Sequence, residues 1–537
     1  MNLVQSPWLP FRLQDGTEQV LPMTAICDPN VVDFALPRAD FQGAAYQFAI
    51  GLLQTVFAPQ DKYDWYDLYE QAPDADVLKK AFDKVTHAFN TVGDGPIFMQ
   101  DLELLDSLKY KSISALLIES PGENTQKENK DHFVKRGNCS LMSLEMAVIS
   151  LFTLQTYAPE GGQGHLTGLR GGGPLTTLIL PQKVNASLWQ RLWLNVIDRD
   201  FWRYSDPDFS SVDIFPWLSP IRLNNGKAID LFPADVHPLH VFWAMPRRVR
   251  LKIESVDGVC QMTGKASNRV VAEYKTKNYG YNYKGSWLHP LTPIKWNPKK
   301  PEDDSWCLKG QQGGFTYKIW DVLALNSNNQ AEGQKCAKAI SSFHSLVSEF
   351  AQAQSASPRL WAFGYDMKTM AAKGWYSSEL PLFSVSPEQQ EDMLYQVKDI
   401  QHLAAVTLKQ CRTEITKAWF DDGGSGKKTP KRDMSFIDLA FWQRTETAFY
   451  NVVQQLITNS AKNDPYLTTE QADIWLKALR NTAADLFDEY ALSELGSERS
   501  MAKRIKARQL LTAWLYGGKD IKRFISEHKI EQQKEVV

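Results

Sequence analysis

The chain has 537 residues, more than one hydrophobic core normally organises, so two or more domains are expected. Its composition, with 43% hydrophobic, 12% aromatic and 23% charged residues, is that of a globular protein and excludes wholesale disorder. The 60 basic and 62 acidic residues leave a net charge of −2. Any polyanionic partner must therefore be bound by local basic patches, because there is no strongly positive overall field.

The cysteines and the N-terminal residues indicate the cellular compartment. None of the six cysteines forms a Cys-x-x-Cys pair, which argues against a disulfide framework and against a thiolate zinc site. The opening "MNLVQSPWLPFRLQDG" lacks a charged segment followed by an apolar run, and no window reaches the roughly 18 apolar residues of a membrane span. These features predict a cytoplasmic protein.

The first two thirds of the chain mix helical and strand patterns. The dipeptide Asp15-Gly16 between apolar stretches predicts the turn of a hairpin. A helical period predicts one helix over 40–59, ended by a proline, and another over 140–157. Between Arg248 and Trp296 the residues alternate and are rich in aromatic side chains, which predicts strands.

After Phe383 the pattern becomes helical. Two capping boxes, starting at Ser386 and Thr468, mark helix starts. Four amphipathic segments follow one another: Pro387–Phe420, Ser435–Ser460, Thr469–Ser493 and Glu498–Tyr516. Short connections between long helices favour an antiparallel four-helix bundle. We therefore predict an α+β protein, with a mixed α/β domain over 1–384 and a four-helix bundle over 385–537.

One stretch, "APEGGQGHLTGLRGGGPLTT" over 158–177, is too rich in glycine for a helix or strand interior. Its glycines are Gly161, Gly162, Gly164, Gly168, Gly171, Gly172 and Gly173. Glycine permits positive φ and lets a backbone approach a ligand that a Cβ would repel. The segment therefore suggests either a ligand that needs bare backbone or close packing within the fold.

Three regions contain basic residues of functional interest. A long polar segment, 119–138, predicts a functional or solvated loop, and Lys275 and Lys277 alternate with tyrosines on a predicted hairpin. The last predicted helix groups Lys503, Arg504, Lys506 and Arg508. The hairpin is either a surface that holds a phosphate backbone or an ordinary exposed strand. The helical cations are either a phosphate-binding track or a solvated face.

Catalytic signatures are missing from the sequence. The stretch "GGSGKKT" over 423–429 departs from a phosphate-binding loop at two positions and follows a helix, so it is interpreted as a linker. His237 and His240 have no nearby partner of metal-ligand spacing and are interpreted as structural. We therefore expect no enzymatic activity, no cofactor and no metal.

Several short motifs occur along the chain in this order: "NLVQSPWLPFR", "LPRADFQGAAYQFAIGLLQTVFAP", "FMQ", "GLRGGGPLTT", "NYGYNYKGSWLHPLTP" and "FGYDMKTMAAKGWYSSELPLF". Together they resemble the CasA family, the large subunit of the type I-E CRISPR surveillance complex Cascade. The resemblance covers most of the chain. It implies a non-enzymatic subunit that reads the short motif beside the target (the PAM) in double-stranded DNA, helps open the duplex for R-loop formation, and then recruits a helicase-nuclease.

The resemblance also implies site residues. A glycine loop that enters the minor groove corresponds to Gly161, Gly162, Gln163 and Gly164, with His165 as a further contact. A groove-binding hairpin lysine corresponds to Lys277 or Lys275, with Asn278 adjacent.

Two more elements of the family have counterparts. A wedge that separates the first base pair corresponds to Met367, Lys368 and Thr369, where some members have Asn and Gln. A loop that meets the crRNA 5′ end and neighbouring subunits corresponds to 119–138. Its cations are Lys127, Lys130, Lys135 and Arg136.

The chain departs from some relatives at their cysteine cluster. Only Cys260 stands there, in "GVCQMTGKAS", so we expect no zinc. Two alternatives to DNA recognition remain. In one, the protein is a structural scaffold whose glycines only allow tight packing beside the helix ending near Tyr157. In the other, it is a nuclease or nucleotide hydrolase, which should show metal-dependent turnover.

Overall fold

The computed structural model divides into two compact units, each described here by itself. It describes residues 1–103, 107–120, 139–162, 164–183, 185–310, 314–326, 333–350, 358–368, 371–385, 387–420, 433–460, 462, 466–492 and 501–531. The first unit comprises Met1–Gly314 and Asn328–Leu382, and the second comprises Phe315–Ser327 and Phe383–Val537.

Two almost completely buried helices lie at the centre of the first unit. Ala39–Val56 and Leu144–Tyr157 are apolar on nearly all sides, as expected for helices surrounded by protein. The Ser143 hydroxyl accepts a hydrogen bond from the Met146 N–H and caps the second of them. The other helices of this unit are Lys62–Glu70, Ala75–Asp83, Leu188–Trp193 and Lys338–Glu349.

The first unit also contains several small sheets, and the described strand pairs are antiparallel except for Asp230–Leu231 with Asn282–Tyr283. The first sheet contains Leu9–Leu13, Glu18–Leu21 and Val31–Phe34. The second contains Arg248–Glu254, Val270–Lys277, Lys111–Ser112 and Met142–Ser143. The third contains Thr176–Leu180, Arg359–Lys368 and Ala371–Pro381. Shorter strands are Leu223–Asn224, Lys227–Ala228, Asp230–Leu231, Gly258–Val259, Ala266–Ser267, Asn282–Tyr283, Ile294–Lys295, Trp306–Cys307 and Gln334–Lys335.

An aromatic cluster forms the core of the first unit. Phe48 makes edge-to-face contacts with Phe89, Phe98, Phe152 and Trp243 at centroid separations of 5.6–5.8 Å. Such geometry adds stabilisation to the burial of the rings themselves. The helix Leu144–Tyr157, which ends at the glycine-rich stretch, is therefore anchored in this aromatic core through Phe152.

The second unit is built mainly from helices. They are Trp320–Ala324, Gln390–Trp419, Ser435–Ser460, Thr469–Phe487, Met501–Gly517 and Lys519–Glu527. Its core includes Tyr317, which stacks on Phe449 at 4.2 Å and shares a 2.7 Å hydrogen bond with the Thr445 hydroxyl. The segment around Tyr317 thus belongs to the helical unit although it precedes Phe383 in the chain.

The predicted α+β fold class, with a C-terminal helical bundle, is confirmed. The helix Ser435–Ser460 has the predicted bounds, and Thr468 forms the predicted capping box with Gln471. Ser386 of the other predicted box lies outside the described residues. The helix Lys519–Glu527 was not predicted. The domain extents 1–384 and 385–537 stay a prediction.

No helix in the described ranges has the length and apolar character required to span a bilayer.

Candidate nucleic-acid interface

The helix Leu144–Tyr157 leads directly into a tight loop, which we call the glycine loop (159–165). The Gly161 N–H donates to the His165 carbonyl at 3.1 Å, and the His165 N–H donates to the Gly162 carbonyl at 3.1 Å. Gly162 and Gly164 have φ of +89° and +77°. L-residues rarely adopt such backbone angles, so these two positions favour glycine for a local reason.

The glycine loop packs against the segment Lys277–Gly280, which we call the strand end. The Tyr279 N–H donates to the Gly164 carbonyl at 2.7 Å. A Cβ on Gly164 would lie 2.5 Å from the Asn278 Cβ, so this glycine also permits the close approach. The structure therefore brings together two segments that the sequence analysis assigned separately to DNA binding.

The exposed part of this pair of segments consists of backbone, a few polar side chains and one carboxylate, that of Glu160. Gly161, Gly162, Lys277 and Asn278 are exposed, and His165 is half-buried. Lys275 is only 7% exposed, and its ammonium lies 4.8 Å from the centre of the Tyr110 ring. Of the two predicted lysines, Lys277 is the one available to a ligand. Gln163 lies outside the described residues.

Lys277 lies at the open end of its hairpin, opposite Arg248. Its ammonium is 3.5 Å from Glu103 Oε2, and the Arg248 Nη2 donates to the same oxygen at 2.7 Å. Arg248 is fully buried and also donates to the buried Asp101. Burial alone would raise the pKa of Glu103, but its two cationic neighbours outweigh that effect and lower it.

Arg247 lies between the two segments and was not singled out from the sequence. Its Nη2 donates to the Pro159 carbonyl, and its backbone N–H donates to Gln155 Oε1 at 2.9 Å. A Cβ on Gly161 would lie 2.7 Å from the Arg247 Nη1. Burial lowers the pKa of Arg247 to about 10. A doublet of arginines after a proline gives no sequence signal that separates this residue from Arg248.

The second half of the glycine-rich stretch serves packing. Gly171 has φ of +82°, and its N–H donates to the Gly168 carbonyl at 2.8 Å, which closes a turn. A Cβ on Gly173, where φ is +61°, would lie 2.6 Å from the Met367 Sδ. Gly173 therefore allows the Met367 side chain to lie against the chain.

The predicted wedge lies at the end of the strand Arg359–Lys368. Met367 pairs with Ala372 after an irregularity in the register. Its side chain contacts Gly172 and Gly173, so the contacts that the structure gives it are packing contacts. The Lys368 side chain and Thr369 lie outside the described residues. The wedge role stays a prediction.

The predicted crRNA-contact loop is described only at its first residues. Glu119 pairs with Arg38, whose Nη1 and Nη2 donate to the two carboxylate oxygens at 2.5 and 2.8 Å. Arg38 also pairs with Asp40, which accepts a 2.6 Å hydrogen bond from the Tyr365 hydroxyl. The four predicted cations lie outside the described residues: Lys127, Lys130, Lys135 and Arg136.

The cations grouped on the helix Met501–Gly517 are mostly engaged within the protein. The Lys503 ammonium donates to the Phe420 carbonyl at 2.6 Å, Arg508 pairs with Asp488 at 2.6 Å, and Arg504 is buried. Of the group, Lys506 is exposed. This arrangement disfavours a continuous phosphate-binding track on that helix.

The two histidines interpreted as structural have structural contacts. His237 Nδ1 accepts from the Leu239 N–H at 3.2 Å and caps a short helical turn. His240 is buried beside the Tyr283 hydroxyl at 3.1 Å, and burial lowers its pKa to about 4. Cys260 is a buried free thiol. Within the described ranges, no group of three or more His, Cys, Asp or Glu side chains is arranged to hold a metal.

The fold is that of an α+β protein with a C-terminal helical bundle, and comparison with solved structures defines the class further. Thermus thermophilus CasA (Cse1) matches with a TM-score of 0.62 at 14% identity, covering 98% of this chain and 99% of the other. Thermobifida fusca Cse1 matches with a TM-score of 0.65 at 15% identity, covering 97% and 98%. A chain of a CRISPR RNA-guided surveillance complex matches with a TM-score of 0.66 at 15% identity, covering 95% and 99%.

The model of the family "CRISPR-associated protein Cse1" matches residues 2–486. This chain therefore belongs to the Cse1 family of CRISPR-associated proteins. The resemblance to the CasA family drawn from short sequence motifs is confirmed.

Proposed function

We propose that this protein is the large subunit of a crRNA-guided Cascade complex and reads the PAM of double-stranded DNA from the minor groove. The observation that carries the proposal is the joint surface of the glycine loop and the strand end. There, exposed backbone at Gly161 and Gly162 and the exposed Lys277 belong to two segments locked together by the Gly164–Tyr279 hydrogen bond. Family membership supports the assembly, since a related chain is part of a CRISPR RNA-guided surveillance complex.

The shape of the glycine loop suits a minor groove. This groove is only about 6 Å wide, so a backbone without side chains is among the few protein elements that can lie along its floor. A Cβ built on Gly162 has nothing within 4 Å, so no protein contact explains the absence of a side chain there. The positive φ already favours glycine at this position, and the open space beside it leaves the Gly162 backbone accessible to a ligand from outside the protein.

Lys277 supplies the charge that bare backbone lacks. An ammonium beside the loop can reach a base-edge acceptor or a phosphate, with Asn278 as a neighbouring donor and acceptor. The minor groove carries a degenerate pattern of donors and acceptors, so recognition through it tolerates several related PAM sequences.

The remaining predicted roles complete the proposal. Met367, Lys368 and Thr369 act at the point where the duplex opens for R-loop formation, and the 119–138 loop meets the crRNA 5′ end and other Cascade subunits. A helicase-nuclease is recruited after the guide has paired, so this subunit performs no chemistry of its own. We place the complex in the cytoplasm.

Gly162→Ala tests the proposal with a matched control. The chain offers Gly16, which has φ of +84° and, like Gly162, has nothing within 4 Å of an added Cβ. Both alanine variants suffer a similar backbone strain, of about 1–2 kcal/mol. We expect Gly162→Ala, but not Gly16→Ala, to weaken binding of the assembled complex to a PAM-bearing duplex by at least tenfold.

The scaffold alternative predicts a different pattern. If the glycines serve packing alone, Gly162→Ala and Gly16→Ala should lower the melting temperature alike and leave duplex affinity per assembled complex unchanged. That result would exclude a DNA contact at Gly162.

A further inference from the structure

Four arginines are buried in the described part of the chain, and they differ in how their charge is balanced. They are Arg170, Arg247, Arg248 and Arg504. Arg248 pairs with Asp101 and Glu103. For Arg170 and Arg247, the described residues place no carboxylate within ion-pair distance. Of these two arginines, Arg170 belongs to the glycine-rich stretch and Arg247 contacts it.

Arg170 is nevertheless well satisfied by neutral acceptors. It donates to the Thr176 hydroxyl at 3.1 Å, the Thr292 hydroxyl at 2.8 Å and Gln47 Oε1 at 2.6 Å. Its guanidinium also lies 5.9 Å from the centre of the Tyr157 ring. These contacts explain why Arg170 is buried: its hydrogen bonds fix the second half of the glycine-rich stretch to the rest of the fold.

Arg247 has no such set of acceptors. The residue is 7% exposed, and its Nε is buried without a hydrogen-bond acceptor among the described residues. Its Nη2 donates to the Pro159 carbonyl. Its main chain is fixed on both sides by Gln155, which accepts from the Arg247 N–H and donates to the Arg247 carbonyl, both at 2.9 Å. The guanidinium is therefore held directly beneath Gly161.

Burying a charge without a counter-charge costs free energy, and apolar residues of similar size often replace buried ion groups without loss of stability. With a pKa lowered only to about 10, Arg247 keeps its charge at neutral pH. Charged groups with perturbed pKa values cluster at functional sites, where a role in binding can offset the cost of burying them. The field of a cation in a low-dielectric interior is also weakly screened, so it acts at the surface above it.

We propose that Arg247 is a positioning residue for duplex binding: it fixes the glycine loop through Pro159 and draws a phosphodiester backbone onto that loop with its uncompensated charge. This inference rests on the proposed function. It assigns Gly161 a role distinct from that of Gly162, because Arg247 occupies the space that a side chain on Gly161 would need. The phosphate of the bound duplex is the counter-ion that the free protein lacks.

The test compares two adjacent buried arginines with opposite environments. In the assembled complex, Arg247→Met should leave the melting temperature unchanged or raise it, and should weaken PAM-duplex binding about tenfold at low salt, with a smaller loss at high salt. Arg247→Lys keeps the charge and should recover much of the affinity. Arg248→Met leaves the buried Asp101 without its partner and should lower the melting temperature clearly.

Two outcomes would overturn the inference. One is unchanged duplex affinity in Arg247→Met. The other combines two results. Arg247→Met lowers the melting temperature as much as Arg248→Met does, and Arg247→Met and Arg247→Lys lose the same affinity at every salt concentration. Arg247 would then be a structural residue only. If Gly162→Ala still weakens binding while Arg247→Met does not, the inference fails and the proposed function stands. If neither weakens binding, both fail.

Discussion

Neutralising Glu103 should strengthen duplex binding, because this carboxylate lies beside the proposed groove-binding lysine. The Glu103 Oε2 and Lys277 Nζ atoms are 3.5 Å apart, and the two side chains are 46% and 45% exposed. In the free protein the Glu103 carboxylate competes with DNA for the Lys277 ammonium. In the bound state the same carboxylate would repel phosphate. In Glu103→Gln, the amide oxygen can still accept the hydrogen bond from Arg248, so the local structure should be kept.

The size of the effect follows from the exposure of the pair. Coulomb's law at this distance gives about 1 kcal/mol in water and about 5 kcal/mol at an effective dielectric constant of about 20. Screening and side-chain entropy reduce the net value for exposed pairs to about 0.2–1 kcal/mol. We therefore expect the duplex dissociation constant of Glu103→Gln to fall about 1.5- to 5-fold at low salt, with little change at high salt.

Equilibrium binding of the assembled complex to a fluorescent PAM-bearing duplex measures this change. Glu273→Gln is the matched control, because Glu273 lies on the same strand as Lys277, is similarly exposed at 42%, and pairs with Lys252 at 2.9 Å instead. Equal tightening in both variants would show that only net charge matters. Unchanged affinity in Glu103→Gln would refute the placement of Lys277 at the DNA.

Three further predictions concern stability. Gly173→Ala should destabilise the protein by about 2–4 kcal/mol, because the methyl group would meet Met367 at a left-handed backbone position. Thr468→Ala should cost about 1 kcal/mol through loss of the capping box with Gln471. His240 is buried with its pKa lowered to about 4, so the unfolded chain binds the extra proton first, and stability should fall as pH drops from about 6.5 to about 4.

Chemical denaturation of the full chain measures the stability changes in Gly173→Ala and Thr468→Ala. Thermal melting over a pH series measures the pH dependence assigned to His240. The pH dependence should be shallower in His240→Gln, and an unchanged slope would show that other groups dominate it. A Gly173→Ala variant as stable as wild type would mean that Met367 can move aside at no cost. A Thr468→Ala variant of wild-type stability would show that the cap contributes nothing to the unit as a whole.

Much of the fold follows from local sequence patterns. The helix Ser435–Ser460 and the turn at Gly16 are set by period and by turn chemistry, which act over a few residues. The assignment of Tyr317 to the helical unit depends on contacts with Phe449 far along the chain, which no local pattern contains. The helix Lys519–Glu527 was missed because it follows two consecutive glycines, a typical signal of a helix end.

The candidate site, too, could be predicted from the sequence only in part. The density of glycine predicted a loop that needs bare backbone, but not which partner requires it. Side chains of the protein itself constrain Gly161 (Arg247) and Gly164 (Asn278), which leaves Gly162 as the position open to a ligand. Lys275 and Lys277 share a strand face, and the contact of the first with the ring of Tyr110, far away in the sequence, is one feature that distinguishes them.

The most direct test of minor-groove recognition is an affinity series of the assembled complex over duplexes that differ only in the flanking trinucleotide, with inosine replacing guanine in each guanine-containing flank. Inosine lacks the exocyclic amino group that guanine presents in the minor groove and keeps the major-groove acceptors. We predict that affinity depends on the flank and changes when inosine replaces guanine there. Affinity that varies with the flank but ignores inosine substitution would place recognition in the major groove and contradict the account.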